Sequence, residues 1–336
     1  MKLSIGMLLL LMSYRLFAAD VASLIQEADE YVVKKEFSAA IIQLKNALQL
    51  EPENIDARLK LGEIYLIIGN GPAAEKEIKR AKKIGAKPEK WTSQLAQALL
   101  YQGRATEVID SINTNEGLSE KVNSDILSAR GQAYLVLQNM SAAAESFKMA
   151  LDLNKENIPA LLGSAKVLLD KKQPGKAVDN VELALALDPT HPFALTLRAD
   201  LAYRVGDFDL SRKLYQKIVA LQPSNVTAIT GLAMVELGLK DYSRAHSMAN
   251  KAIELNKDYS IPYYIKSVVN LSNKNVKEAE NNLQRVLSLN PTHLPSLLAM
   301  GRVKYNNGDY KSAENYLKSF VSKIPKPTEL GHQILK

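Results

Sequence analysis

The chain contains no cysteine. That excludes disulfides, thiolate nucleophiles and cysteine-ligated metals. Aromatic residues make up 6% of the chain and only one is a tryptophan, which leaves few platforms for stacking bases. After the first residues no segment approaches the roughly 20 apolar residues that span a bilayer. The HExxH, GxSxG, P-loop and Gly-rich phosphate patterns are all missing. What is abundant is Ala and Leu, both strong helix formers.

The net charge is +7, or +5 from Asp20 onward, because Lys2 and Arg15 are the only charges before it. The densest basic run is Lys79, Arg80, Lys82, Lys83, Lys87 and Lys90. Without interleaved aromatics it reads as a solvated helix end, and no nucleic-acid partner is expected. The first 19 residues read as an export leader. Lys2 is followed by the uncharged run Leu3–Met12, a fit to the apolar core of a signal peptide, with cleavage expected after Ala18 or Ala19. Arg15 interrupts this pattern, and Leu16 or Phe17 stands where a small residue is preferred. An uncleaved anchor is therefore the alternative, and membrane association is expected only through it or through a partner. The leader implies export, with the periplasm or cell envelope as the expected location.

A period organises the rest. Lys155, Pro189, Pro223, Lys257, Pro291 and Pro325 follow one another at intervals of 34, with Pro52 in the same motif near the N-terminus. Repeat starts fall at 21, 55, 89, 124, 158, 192, 226, 260 and 294. Position 8 is small throughout: Ala28, Gly62, Ala96, Gly131, Ala165, Ala199, Ala233, Ser267 and Gly301. Position 20 is Ala in seven repeats, with Val108 and Ser211 as departures. Position 24 carries larger residues such as Leu44, Ile78, Phe147, Val181, Tyr215 and Leu283. Small residues let two helices cross closely, large ones fill the holes, and a Pro after the second helix ends it. A 34-residue helical hairpin of this pattern is similar to the tetratricopeptide repeat (TPR). The resemblance implies an all-α, right-handed superhelical solenoid of about nine hairpins. It also implies protein partners as ligands.

The expected organisation is a leader at 1–19, repeats one to three at 20–123, repeats four to nine at 124–327, and a short tail or incomplete cap at 328–336. Repeat three is degenerate. Its successor starts 35 residues later, after the polar stretch Asn113–Gly117, which reads as a loop insertion or as a hinge. His191 and His293 share a repeat position three repeats apart, too far to hold one metal, and His246 and His332 are isolated. With no carboxylate pair evident, no catalysis, cofactor or metal is expected.

In TPR arrays the first helices line the binding face through positions 2, 5, 9 and 12. Repeats two to four place polar Glu63, Lys90, Gln94, Gln97 and Gln132 there. The candidate partner-binding residues are Asp200, Tyr203, Met234, Ile261, Tyr264, Val268, Arg302 and Tyr305. Tyr and Arg are frequent hot spots and Met adapts to varied partners. The alternative is that some of these side chains complete the core between repeats. Ile25, Asp29, Leu59 and Glu63 stand where the chaperone-binding TPR type has its Lys and Asn clamp, so that mode is not expected.

The stretch AAIIQLKNALQLEPENIDARLKLGEIYL (39–66) goes further. With the following GPAAEKEIKRAKKIGA and LAQALLYQGRATEVID, it resembles the PEP-CTERM-system TPR-repeat protein of the PrsT type. That resemblance implies a scaffold in exosortase-linked surface sorting or exopolysaccharide export. It lacks the lipoprotein cysteine typical of those proteins, and it is shorter. A TPR accessory of another envelope machine, such as pilus biogenesis or outer-membrane polymer export, is the alternative.

Overall fold

The computed structural model describes residues 20–324. The leader, Pro325 and the tail at 328–336 lie outside them. Among the described residues there are eighteen helices and no strand. They fall into two compact units. In the first, which ends at Leu187, the hairpins are α1 (Val21–Val33) with α2 (Phe37–Leu50) and α3 (Ile55–Ile67) with α4 (Gly71–Lys83). Then come α5 (Pro88–Tyr101) with α6 (Ala105–Ser111), α7 (Glu120–Val136) with α8 (Met140–Leu153), and α9 (Ile158–Asp170) with α10 (Pro174–Leu187). The second unit holds α11 (Pro192–Arg204) with α12 (Phe208–Leu221) and α13 (Val226–Gly238) with α14 (Tyr242–Leu255). It ends with α15 (Ser260–Ser272) paired to α16 (Val276–Leu289), and α17 (Leu294–Asn306) paired to α18 (Tyr310–Lys323). This is the all-α hairpin array that the 34-residue period predicts.

Within each unit, the second helix of a hairpin packs on the first helix of the next. First helices also touch one another: α3, α5, α7 and α9 in the first unit, and α11, α13 and α15 in the second. They therefore share one face of their unit. The turn inside every hairpin is set by one left-handed residue at repeat position 15. It is Gly69, Gly103, Gly206 and Gly308 in four turns, and Lys35, Gln138, Lys172, Lys240 and Lys274 in the other five. There the next amide reaches back to the helix, as Asn70 N does to Tyr65 O at 2.7 Å, which satisfies carbonyls that the helix end leaves open. Asn70, Asn139, Asp207, Asp241 and Asp309 then cap the second helices with their side chains.

The core follows the predicted positions and adds a rule to them. Phe147 at position 24 is fully buried between two glycines. A Cβ on Gly131 would lie 2.6 Å from its ring, and one on Gly163 at 2.2 Å. Tyr215, at the same position two repeats later, lies against Gly231 in the same way, with 2.3 Å to a virtual Cβ. Gly163 and Gly231 both occupy position 6 of the following repeat. Where position 24 is small, as at Ala249, position 6 is the fully buried Ile265, and the two belong to one core cluster.

The degenerate repeat has a short second helix, α6, of 7 residues. Arg130 on α7 satisfies its end by donating to Ile109 O at 2.8 Å and Ile112 O at 3.1 Å. The 113–119 segment is tied down by Asn123, which donates to Asn115 O and Leu118 O, and by Ser119, which donates to Glu89 at 2.6 Å. The boundary between the compact units falls later, between Leu187 and Asp188.

Candidate functional site

The candidate face belongs to the second unit and is built on α11, α13, α15 and α17. Asp200 is exposed on α11 and accepts a hydrogen bond from the Tyr215 hydroxyl of α12. Tyr215 itself is only 4% exposed. Burial, reinforced by the Asp200 bond and charge, pushes its phenol far above the ordinary range. Tyr259, just ahead of α15, is raised by burial and then by the Asp200 charge. Burial raises Tyr203 on α11 and Tyr264 on α15 as well, and Tyr203 is close enough to Tyr264 and Tyr215 to disfavour their ionisation. The Asp200 carboxylate thus holds the Tyr215 hydroxyl and acts on Tyr259, while Tyr203 and Tyr264 adjoin the same tyrosine cluster. Tyr203 also rests on Phe208, ring centroids 5.4 Å apart, and Tyr264 meets His293 edge-on at 5.0 Å. Burial depresses His293, whose Nδ1 lies 2.8 Å from the Ser296 hydroxyl.

The structure therefore brings Asp200, Tyr203 and Tyr264 together and adds Tyr215 and Tyr259. Met234 and Ile261 are half-buried against Ala233, Ala245, Ala249, Ile265 and Val269. Tyr264 also packs on Leu283, Met300 and Val303, so it serves the core and the face together. Val268 is half-buried and Arg302 is exposed. Tyr305 turns toward α18, its partner in the last hairpin. It is 61% exposed, pairs with Tyr310 at 5.3 Å, and lines a cavity of about 580 Å³ with Leu317 and Val321 of α18.

Sequence reasoning missed Tyr215 and Tyr259. Tyr215 holds a core position on a second helix, and Tyr259 holds a turn. The signal for Tyr215 was the coincidence of an aromatic at position 24 with an acidic residue at position 9 of the same repeat. Sequence reasoning also missed a set of buried carboxylates. Glu236 on α13 is 3% exposed and accepts from Arg212 at 2.7 and 2.9 Å. Glu75 on α4 is 9% exposed. Burial alone would raise its carboxyl, but hydrogen bonds from Lys79, Gln102 and Arg104 outweigh burial and hold it at about 2.

The polar residues of repeats two to four form a separate feature in the first unit. Gln94 and Gln97 of α5 and Gln132 of α7 line a cleft of about 210 Å³ with Asp125 and Ser128. Gln94 Oε1 and Ser128 Oγ have no hydrogen-bond partner there. Glu63 and Lys90 are exposed. Among the described residues no three His, Asp or Glu side chains are placed to hold a metal ion.

The Asp200 face is chemically mixed. The aromatic faces supply apolar area, the hydroxyls donate and accept, and the carboxylate prefers a cation.

Comparisons with known proteins agree with this architecture. Protein CTR9 homolog of Arabidopsis thaliana is 30% identical over 91 residues, 27% of this chain and 8% of that protein. Protein O-mannosyl-transferase TMTC3 of Homo sapiens is 23% identical over 204 residues, 56% of this chain and 22% of that protein. The chain thus spans less than a quarter of the length of these curated relatives. Among solved structures, the APC/C hetero-tetramer Cut9-Hcn1 superposes with a TM-score of 0.64 at 13% identity, covering 93% of this chain and 76% of that one. The pilF protein of Pseudomonas aeruginosa gives 0.52 at 19%, covering 63% and 97%. PilW, a widely conserved type IV pilus biogenesis factor, gives 0.54 at 17%, covering 66% and 100%. At such identities these likenesses show a shared fold. Tetratricopeptide repeat models match residues 34–98, 196–259 and 270–331, more than half of the sequence, and the chain belongs to the tetratricopeptide-repeat family.

Proposed function

We propose that this protein is a non-catalytic scaffold that holds a segment of a partner protein on the first-helix face of its second unit. The observation that carries this reading is the exposed Asp200 carboxylate, bonded by Tyr215 and next to a tyrosine cluster that also holds Tyr203, Tyr259 and Tyr264. Tyrosines supply large, rigid contact area with a polar tip, and an acid among them favours a basic side chain of the partner. TPR arrays commonly serve protein–protein contact, and this face needs no cofactor to do so.

We place the scaffold in the bacterial envelope, on the strength of the leader-like residues 1–19. Its role there is exosortase-linked surface sorting or exopolysaccharide export, supported by the resemblance carried by residues 39–66. A second reading is an accessory of pilus biogenesis. It is favoured by the fold shared with the Pseudomonas aeruginosa pilF protein and PilW, both matched over nearly their whole length.

The test is crosslinking capture from envelope fractions with the full chain and with the variant D200N/Y203A. A partner retained by the first and lost by the second supports the reading, and its identity chooses between sorting and pilus assembly. Equal retention by both would remove the Asp200 face from the reading.

A further inference from the structure

The first unit carries a second feature, built between α2, α3 and α4 and independent of the Asp200 face. A cleft of about 400 Å³ is rimmed by Lys45, Arg58, Lys76 and Arg80. Its apolar lining comes from Leu48, Leu61 and Tyr65. The one carboxylate in it, Glu77, is 6% exposed and already engaged. Arg58 donates to Glu77 at 2.5 Å, and Arg80 lies 3.4 Å from the other oxygen. Lys45 and Lys76 are exposed, and neither forms an ion pair among the described residues. Four cations therefore face one spent anion.

Arg58 makes this more than a surface lysine patch. It is 9% exposed and pinned at both ends of its guanidinium, by Glu77 and by the Pro52 carbonyl. Its Nε–H has no acceptor. Holding a buried arginine this way is costly without compensation, and a preorganised guanidinium suits a planar carboxylate. The fate of the basic run also becomes clear. Lys79 is spent on Glu75 at 2.6 Å, and Lys82 covers the Trp91 ring at 4.4 Å. Only Arg80 of that run, joined by Lys76 from the preceding turn, lines the cleft.

We propose that this cleft binds an acidic peptide segment of a partner protein that also carries an apolar side chain. Charge complementarity selects acidic residues for the rim, and Leu48, Leu61 and Tyr65 give one apolar side chain a floor. A purely polar polyanion would leave that floor unused.

The probe is a fluorescein-labelled nonapeptide of Glu-Glu-Leu repeats, titrated by anisotropy into the full chain at fixed moderate salt. Lys45→Glu with Lys76→Glu should weaken binding at least tenfold. Both residues are exposed and unpaired, so folding is not at risk, and circular dichroism checks it. The control Lys155→Glu with Lys277→Glu carries the same charge change elsewhere and should stay within twofold. Asp200→Asn should leave this binding unchanged, which separates it from the function proposed above. A peptide with Gln for Glu should bind at least tenfold more weakly. Equal loss in the control pair would mean attraction by net charge alone and would overturn the proposal. So would undiminished binding of the Gln peptide, or competition by oligo-alginate or inorganic phosphate as strong as by the unlabelled peptide.

Discussion

Gly163→Ala tests the packing rule between positions 24 and 6 most sharply, because two effects of opposite sign compete there. In a helix interior, Gly→Ala ordinarily stabilises by about 1 kcal/mol. At Gly163 the new Cβ would lie 2.2 to 2.7 Å from three atoms of the Phe147 ring. Carbon atoms prefer roughly 3.5–4.0 Å. The ring has little room to retreat, because it is fully buried and also packs on Gly131 so tightly that a Cβ there would come within 2.6 Å of it. Overpacking of this kind costs about 1–3 kcal/mol, and more where the neighbour is fixed. The expected net effect is a loss of about 1–2 kcal/mol. Gly175 on α10, where an added Cβ meets nothing within 4 Å, is the control and should be neutral or slightly stabilised. Phe147→Leu should cost about 1–2 kcal/mol alone and should relieve the alanine, so that the double variant falls short of additivity by more than about 0.5 kcal/mol. Repeat arrays do not always unfold in one step. The measurement is therefore amide hydrogen exchange in α7, α8 and α9. Stabilisation of Gly163→Ala to the level of Gly175→Ala, or strict additivity with Phe147→Leu, would refute the reasoning.

Further outcomes follow from the same structure. Ser124→Ala should cost about 1–2 kcal/mol, because its hydroxyl donates to Ala150 O at 2.8 Å and accepts from Asn157. Ser128→Ala, which removes an unpartnered buried hydroxyl, should be neutral or stabilising by up to about 1 kcal/mol, read by urea denaturation. Glu75 is held at about 2 against an ordinary 4.5, so its contribution is present above 4.5 and is lost as pH falls toward 2. Glu75→Gln should flatten that acid limb in a thermal melt series. His293 is depressed from 6.5 in the folded state, so its contribution is present above about 6.5 and declines as pH falls below that; His293→Gln should remove this slope. Gly69→Ala places a side chain at φ 75° and should cost about 1–2 kcal/mol by the same exchange measurement.

The hairpins were legible because the 34-residue period is redundant. Small residues at positions 8 and 20 and a helix stop near position 32 all repeat the same message. The left-handed residue at position 15 was not, although it recurs in every hairpin, because five of the nine are Lys or Gln. Those residues give no turn signal of their own. The helix end imposes the conformation on them, at a cost that long-range packing absorbs. The short α6 was foreshadowed by the missing alanines of repeat three. Its cap, Arg130, lies far along the chain and belongs to no local pattern.

The candidate site was half legible for a related reason. A repeat template assigns each position one direction, inward or outward. Asp200 and Tyr203 obey it, so the template found them. Tyr215 violates it: it fills a core position, yet its hydroxyl reaches the face and binds Asp200. That reach exists only because Gly231 clears room for the ring. The glycine thus has a consequence at the surface through a side chain it does not resemble. Substituting Gly231 with Ala should press on Tyr215, displace its hydroxyl from Asp200 and free the carboxylate. Partner capture through the Asp200 face should then change although no surface residue has been touched. Core position 24 and the Asp200 face are coupled by size alone.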